Sequence, residues 1–238
     1  MSSEMSNAPM MQSSSSSFFQ TWIDALTKPS EQTYAGIAAS PKAKAMTGYI
    51  WVFLSSLAGS FLSLIAEGAL VRNQLSQAGV GADQLRGGAG GVLITLICGA
   101  PILAFIGTVF FAILVALVQW IAKMFGGQGN NDQLAYTFAA IGAPASLVSG
   151  ALVLLSAIPV VGFCFRAVTG LVGIYVIILE IMAVKGVNRF GWGPAIGSWA
   201  IPYAAILLVC CCAAVAVGAL TGAALGNIFN SINSSLTP

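Results

Sequence analysis

The 238-residue chain is 58% hydrophobic and 7% charged, with a mean hydropathy of +0.91. Soluble domains are about 45–50% apolar and about 25% charged, so nine basic and seven acidic residues cannot cover a water-soluble domain of this size, and the chain is too apolar to be disordered. An integral membrane protein is what remains, and a net charge of +2 gives no basic field for nucleic acid, which is excluded as a partner.

Residues 1–17 are polar and serine-rich with no apolar core, and read as a disordered tail rather than a signal peptide. Residues 18–46 form an interfacial amphipathic segment. In it Phe18, Phe19, Trp22, Ile23 and Leu26 share one helical face, Ser17 stands at the capping position and Pro29 ends the helix. That face suits either the membrane surface or a docking place on the protein's own loops.

Five apolar stretches follow, at about 47–70, 91–122, 134–158, 163–184 and 195–219. Each reaches the roughly 20 residues a helix needs to cross about 30 Å of hydrocarbon. Backbone groups in lipid must be satisfied within the segment, and strand-like alternation is missing, so a β-barrel is excluded. The expected fold is an all-α membrane protein, a bundle of five transmembrane helices occupying 47–226, with 227–238 as a short polar tail. Gly99-Ala100-Pro101 predicts a kink in the second span, Ile158-Pro159-Val160-Val161-Gly162 a tight turn between antiparallel neighbours, and Pro202 a bend in the fifth span.

Lys28, Lys42, Lys44, Lys123, Lys185 and Arg189 fall on one side of this topology, and Arg72, Arg86 and Arg166 on the other. The bias places the amino terminus in the cytoplasm and the carboxyl terminus outside, with Trp51, Trp120, Trp192 and Trp199 as interfacial anchors.

The sequence has no histidine, which removes His-dependent triads and His-ligated zinc or haem from this chain. Cys98, Cys164, Cys210, Cys211 and Cys212 form no CxxC pair. Consecutive helical residues point about 100° apart, so Cys210-Cys211-Cys212 cannot converge on one ion. No metal, cofactor or catalytic residue is expected. Gly87–Gly91 and Gly126–Gly129 lack the strand context and the Gly-Lys-Ser/Thr ending of a phosphate loop.

Ionisable groups at membrane depth are the candidate intramembrane polar residues: Glu67 and Arg166, both near the outer face and able to pair, and Glu180 near the inner face, within reach of Lys123, Lys185 or Arg189. The candidate packing surface is Gly218, Gly222 and Gly226, a tandem small-residue stripe extended by Cys210 and Ala214, against the rest of the bundle or a second subunit.

Several of these features together resemble the Yip1 domain family in its bacterial form. They are Trp22 to Leu26 with Lys28-Pro29 ahead of Tyr34 and Ile37; Phe125-Gly126-Gly127-Gln128-Gly129 followed by Leu134, Tyr136 and Ala143-Pro144; Ile158 to Gly162; and Tyr175 ahead of Lys185-Gly186-Val187. The resemblance covers roughly residues 18–217. It implies a multi-pass protein of a bacterial inner membrane, or of Golgi or endoplasmic-reticulum membranes in a eukaryote. The eukaryotic members are linked to vesicle traffic and prenylated Rab GTPases, and no Rab-binding motif maps onto particular residues here.

Three functions compete. The favoured one is a non-catalytic membrane scaffold or accessory protein whose partners are the bilayer and other membrane subunits or a second copy. The alternative is a small transporter or channel using Glu180 and the proline-kinked helices. A membrane-embedded enzyme ranks third, since without histidine it would need a carboxylate pair or a Ser/Lys pair in the membrane, and Glu67 and Glu180 fall on opposite sides.

Overall fold

The computed structural model of the chain describes residues 17–77, 95–156, 158 and 161–236. Among the described residues there are seven α-helices and no strand. Two short helices, α1 (Phe18–Thr27) and α2 (Glu31–Ala38), precede five long ones. These are α3 (Ala45–Gln77), α4 (Ala100–Met124), α5 (Asn131–Leu155), α6 (Gly162–Asn188) and α7 (Trp192–Leu236). All five contain a stretch long and apolar enough to cross a membrane, so the expected five-span all-α architecture is present.

The core is built on α5. In its most apolar window 44% of residues are buried, against 6–17% in the other spans, which puts α5 at the centre and leaves the others facing lipid. Its most extensive partner is α3. The two approach closely because their facing residues are small: a Cβ on Gly48 would lie 2.9 Å from the Ala135 carbonyl oxygen, and one on Gly150 would lie 3.3 Å from Gly59 Cα. In lipid the hydrophobic effect does not drive helices together, so close van der Waals contact of this kind holds the pair.

Local chemistry sets the helix ends. Asn130 and Gln133 form a reciprocal capping box at the start of α5, with the Gln133 N–H donating to Asn130 Oδ1 (2.8 Å) and the Asn130 N–H donating to Gln133 Oε1 (3.2 Å). The Asp132 carboxylate reaches across to the first N–H of α3, at Ala45 (3.4 Å). A π-helical turn, Thr95–Gly99, precedes α4 and puts Pro101 in its first turn. The expected disruption at Gly99-Ala100-Pro101 therefore takes the form of a widened turn, which accommodates a residue that has no N–H to donate. Arg189 ends α6 in the left-handed conformation (φ 55°) that usually selects glycine.

Three sequence expectations change in detail. Ser17 occupies the capping position of α1, but its side chain makes no capping bond. The amphipathic segment is two helices, and α1 docks on the spans through its small residues Thr21 and Ala25, leaving Phe18, Phe19 and Ile23 exposed. Helix α7 also continues through the segment expected as a polar tail, to Leu236.

Connectivity brings the first turns of α3, α5 and α7 and the last turns of α4 and α6 to one end of the bundle. Lys42, Lys44, Lys123, Lys185 and Arg189 gather there, so this is its basic end.

Candidate functional site

Three polar assemblies are built near the basic end. The first fastens the loop between α4 and α5. Gln119, buried on α4, donates from Nε2 to the Gly129 carbonyl (2.8 Å) and to Asn188 Oδ1 (2.9 Å). Asn188, fully buried at the end of α6, donates back to Gln119 Oε1 (3.3 Å) and to the Val184 carbonyl (3.1 Å). Its backbone carbonyl accepts from the Gln128 N–H (3.1 Å). Only glycine fits against this pair, since a Cβ on Gly127 would sit 2.6 Å from Asn188 Oδ1 and one on Gly129 would sit 2.7 Å from Val187 Cγ1. The glycine-rich loop is thus a fitted strap, held by a side-chain pair from two different helices.

The second assembly holds the amino-terminal arm, α1 and α2. Tyr34 is fully buried and donates its hydroxyl to the Ala25 carbonyl (2.9 Å), joining α2 to α1. Burial pushes the Tyr34 phenol well above the usual tyrosine range. Tyr175 of α6 donates to the Leu26 carbonyl (2.6 Å), one of the carbonyls left over at the end of α1. Lys185 pairs with Glu31 (2.6 Å) and lies over the Trp192 ring, 4.8 Å from its centroid. Trp22 meets Trp51 edge-on (5.7 Å between centroids), and Trp51 meets Tyr136 (4.9 Å), so an aromatic chain runs from α1 through α3 to α5.

The third assembly is centred on Glu180. Trp199 Nε1 and the Tyr203 hydroxyl, one turn apart on α7, both donate to Glu180 Oε2 (2.8 and 3.1 Å). Their rings stack at 4.2 Å and 19°. Glu180 was expected to meet Lys123, Lys185 or Arg189, and the structure corrects this. Lys185 is five residues on, about 140° around the helix, and its ammonium points to Glu31 instead. Among the described residues the Glu180 carboxylate takes no cation; neutral donors on the adjacent helix satisfy one of its oxygens.

The remaining sequence candidates are not brought together. Arg166 is exposed in the first turns of α6, with no ion pair among the described residues. The side chain of Glu67, and with it the expected Glu67–Arg166 pair, lies outside the described residues, as do the surroundings of Gly222 and Gly226. Gly218 lies on α7, where a side chain built on it would meet no described atom within 4 Å.

The Glu180 tie makes a prediction. Glu180→Gln keeps an oxygen to accept from Trp199 and should melt in mild detergent close to wild type. Glu180→Leu strands an indole N–H and a phenol and should lose about 1–3 kcal/mol. Equal damage from both variants would mean that the negative charge itself is required.

A family model for the Yip1 domain matches residues 23–225. The chain belongs to the Yip1 domain family. The match runs from within α1 to within α7, so the Yip1 domain here takes in most of the arm and all five spans, and is not confined to the bundle. The glycine-rich strap, the Tyr34 and Tyr175 ties and Glu180 all lie inside it. No curated protein and no solved structure matches the chain.

Proposed function

We propose that this Yip1-domain protein is a non-catalytic membrane scaffold that binds other membrane proteins, or a second copy of itself, by helix packing. We place its basic end on the cytoplasmic side of a bacterial inner membrane, in accord with the lysine and arginine bias. The observation that supports the scaffold reading is the outer half of α7. The helix is anchored by Ala195, Ser198 and Pro202, which are buried, whereas every residue from Leu207 to Ala216 is exposed. Leu207, Leu208, Val209 and Val215 offer apolar bulk there, and Cys210 to Ala214 are small. Small side chains gain little from lipid and allow a partner backbone to come close.

Gly222→Ile tests this face by placing a branched chain at the middle of the Gly218, Gly222 and Gly226 stripe; Leu220→Ile is the control. The expected result is release of the partner or second copy in gentle detergent while the chain stays inserted. A fall in the melting temperature of the lone chain would assign the stripe to packing within the bundle. No change in either would show that the stripe packs against neither a partner nor the bundle.

A second reading, a small transporter or channel, is favoured by one observation. Glu180 lies eight residues, about 12 Å, from the end of a spanning helix, and no described cation neutralises it. Solute movement through liposomes holding the lone chain, abolished by Glu180→Gln, would support it over the scaffold.

A further inference from the structure

We propose that the cleft between α1, α2 and α5 is a headgroup site for a bilayer phospholipid carrying a phosphate and a primary ammonium but no carboxylate, that is, a phosphatidylethanolamine. The cleft encloses about 350 Å³, the low end of the range for small-ligand sites. Its walls carry both charges. Thr21 and Asp24 line it from α1, Lys28 from just beyond α1, Thr33 from α2, Ser40 from just beyond α2, and Tyr136 from α5.

The two ends of the cleft differ chemically. Asp24 accepts from Lys28 (2.8 Å) and more weakly from Gln20 (3.3 Å). The Lys28 ammonium beside it holds the Asp24 carboxyl below the usual carboxylate range, so it is ionised at neutral pH. Lys28 is 65% exposed, and exposed ion pairs of neighbouring helical residues contribute little. A zwitterionic headgroup can replace that single pair with two: its phosphate on Lys28 and its ammonium on Asp24. The Ser40 oxygen accepts from the Lys42 N–H (3.3 Å), which leaves its own proton for a phosphate oxygen. The hydroxyl oxygens of Thr21 and Tyr136 are acceptors for an N–H donor. A quaternary ammonium has no such donor, and a glycerol headgroup has no cation for Asp24.

The surroundings favour a lipid over a soluble ligand. On α1 the residues away from the cleft, Phe18, Phe19 and Ile23, are apolar and about half exposed (49, 58 and 52%). The Trp22, Trp51 and Tyr136 rings beside them form the aromatic layer expected at headgroup depth.

The test uses the full chain in mild detergent, stripped of native lipid. It is offered phosphatidylethanolamine, phosphatidylcholine or phosphatidylglycerol with identical chains, and retained lipid is counted by native mass spectrometry. Wild type should retain phosphatidylethanolamine about tenfold better than either other lipid, the ratio that one charge-assisted hydrogen bond supports. Asp24→Asn, with an unchanged melting temperature, should bring the ratio to phosphatidylcholine close to one. Equal retention of the three lipids by wild type, a result that needs no variant, would overturn the proposal. So would an undiminished preference in Asp24→Asn. Water-soluble glycerophosphoethanolamine should not be retained at the same concentration; if it is held as well as the lipid, the lipid assignment is wrong.

Discussion

Gly186→Leu should lift the amino-terminal arm off the bundle while leaving the five spans assembled. A Cβ at this position would lie 2.7 Å from the Glu31 carbonyl oxygen, 3.1 Å from Tyr34 Cβ and 3.3 Å from the Ala35 nitrogen. Two of those three atoms are backbone, so no side-chain rotation makes room. Helix α2 must move, and with it go the Lys185–Glu31 pair and the buried seat of Tyr34. Overpacking of this kind costs about 1–3 kcal/mol or more. Amide exchange across residues 31–38 should therefore accelerate by about 10–100-fold, with the amides of α5 unaffected. Gly36→Ala is the internal control. It lies in the same helix with no atom within 4 Å of the added methyl, and should be neutral or gain about 0.5–1 kcal/mol.

Asn188→Leu should be the most damaging single substitution at the basic end. It removes the acceptor for Gln119 Nε2 and the donor to Gln119 Oε1, leaving the Gln119 carbonyl oxygen without its partner in a buried site. Leucine branches at the same carbon as asparagine and has as many side-chain heavy atoms, so the damage comes from lost hydrogen bonds rather than lost space: one Nε2 proton and the Oε1 of Gln119 both lose their partner. Two buried groups left unsatisfied cost about 2–4 kcal/mol together. In a chain of this length that lowers the melting temperature by about 10 °C. Gln119→Leu in the same background should cost less than its own single effect, because removing both partners leaves no orphan. Strictly additive losses would show that the two side chains are not coupled.

The five spans were legible in the sequence because crossing hydrocarbon demands about 20 apolar residues, and few other constraints write so plainly. Glu180 stood out for the same reason, as a charge where charge is costly. Its partners did not. A lone carboxylate near a basic rim suggests a cation, and Trp199 near a span end suggests an interfacial anchor, although Trp199 and Tyr203, four apart on one helical face, are a visible pair of donors. The small-residue contact between α3 and α5 was missed because Gly48, Gly59 and Gly150 lie at spacings that make no motif. The Gln119–Asn188 bond joins residues 69 positions apart, and nothing local in either marks the other. The arm was half legible. Its apolar face was evident, but its docking through Thr21 and Ala25 depends on small residues within an otherwise aromatic helix.

The scaffold reading is tested most directly by the native mass of the wild-type chain released from its own membrane in gentle detergent. A stoichiometric complex, either with another membrane protein or with a second copy, that Gly222→Ile separates is the expected result. A lone 24.4 kDa chain that moves a solute when reconstituted in liposomes would contradict it.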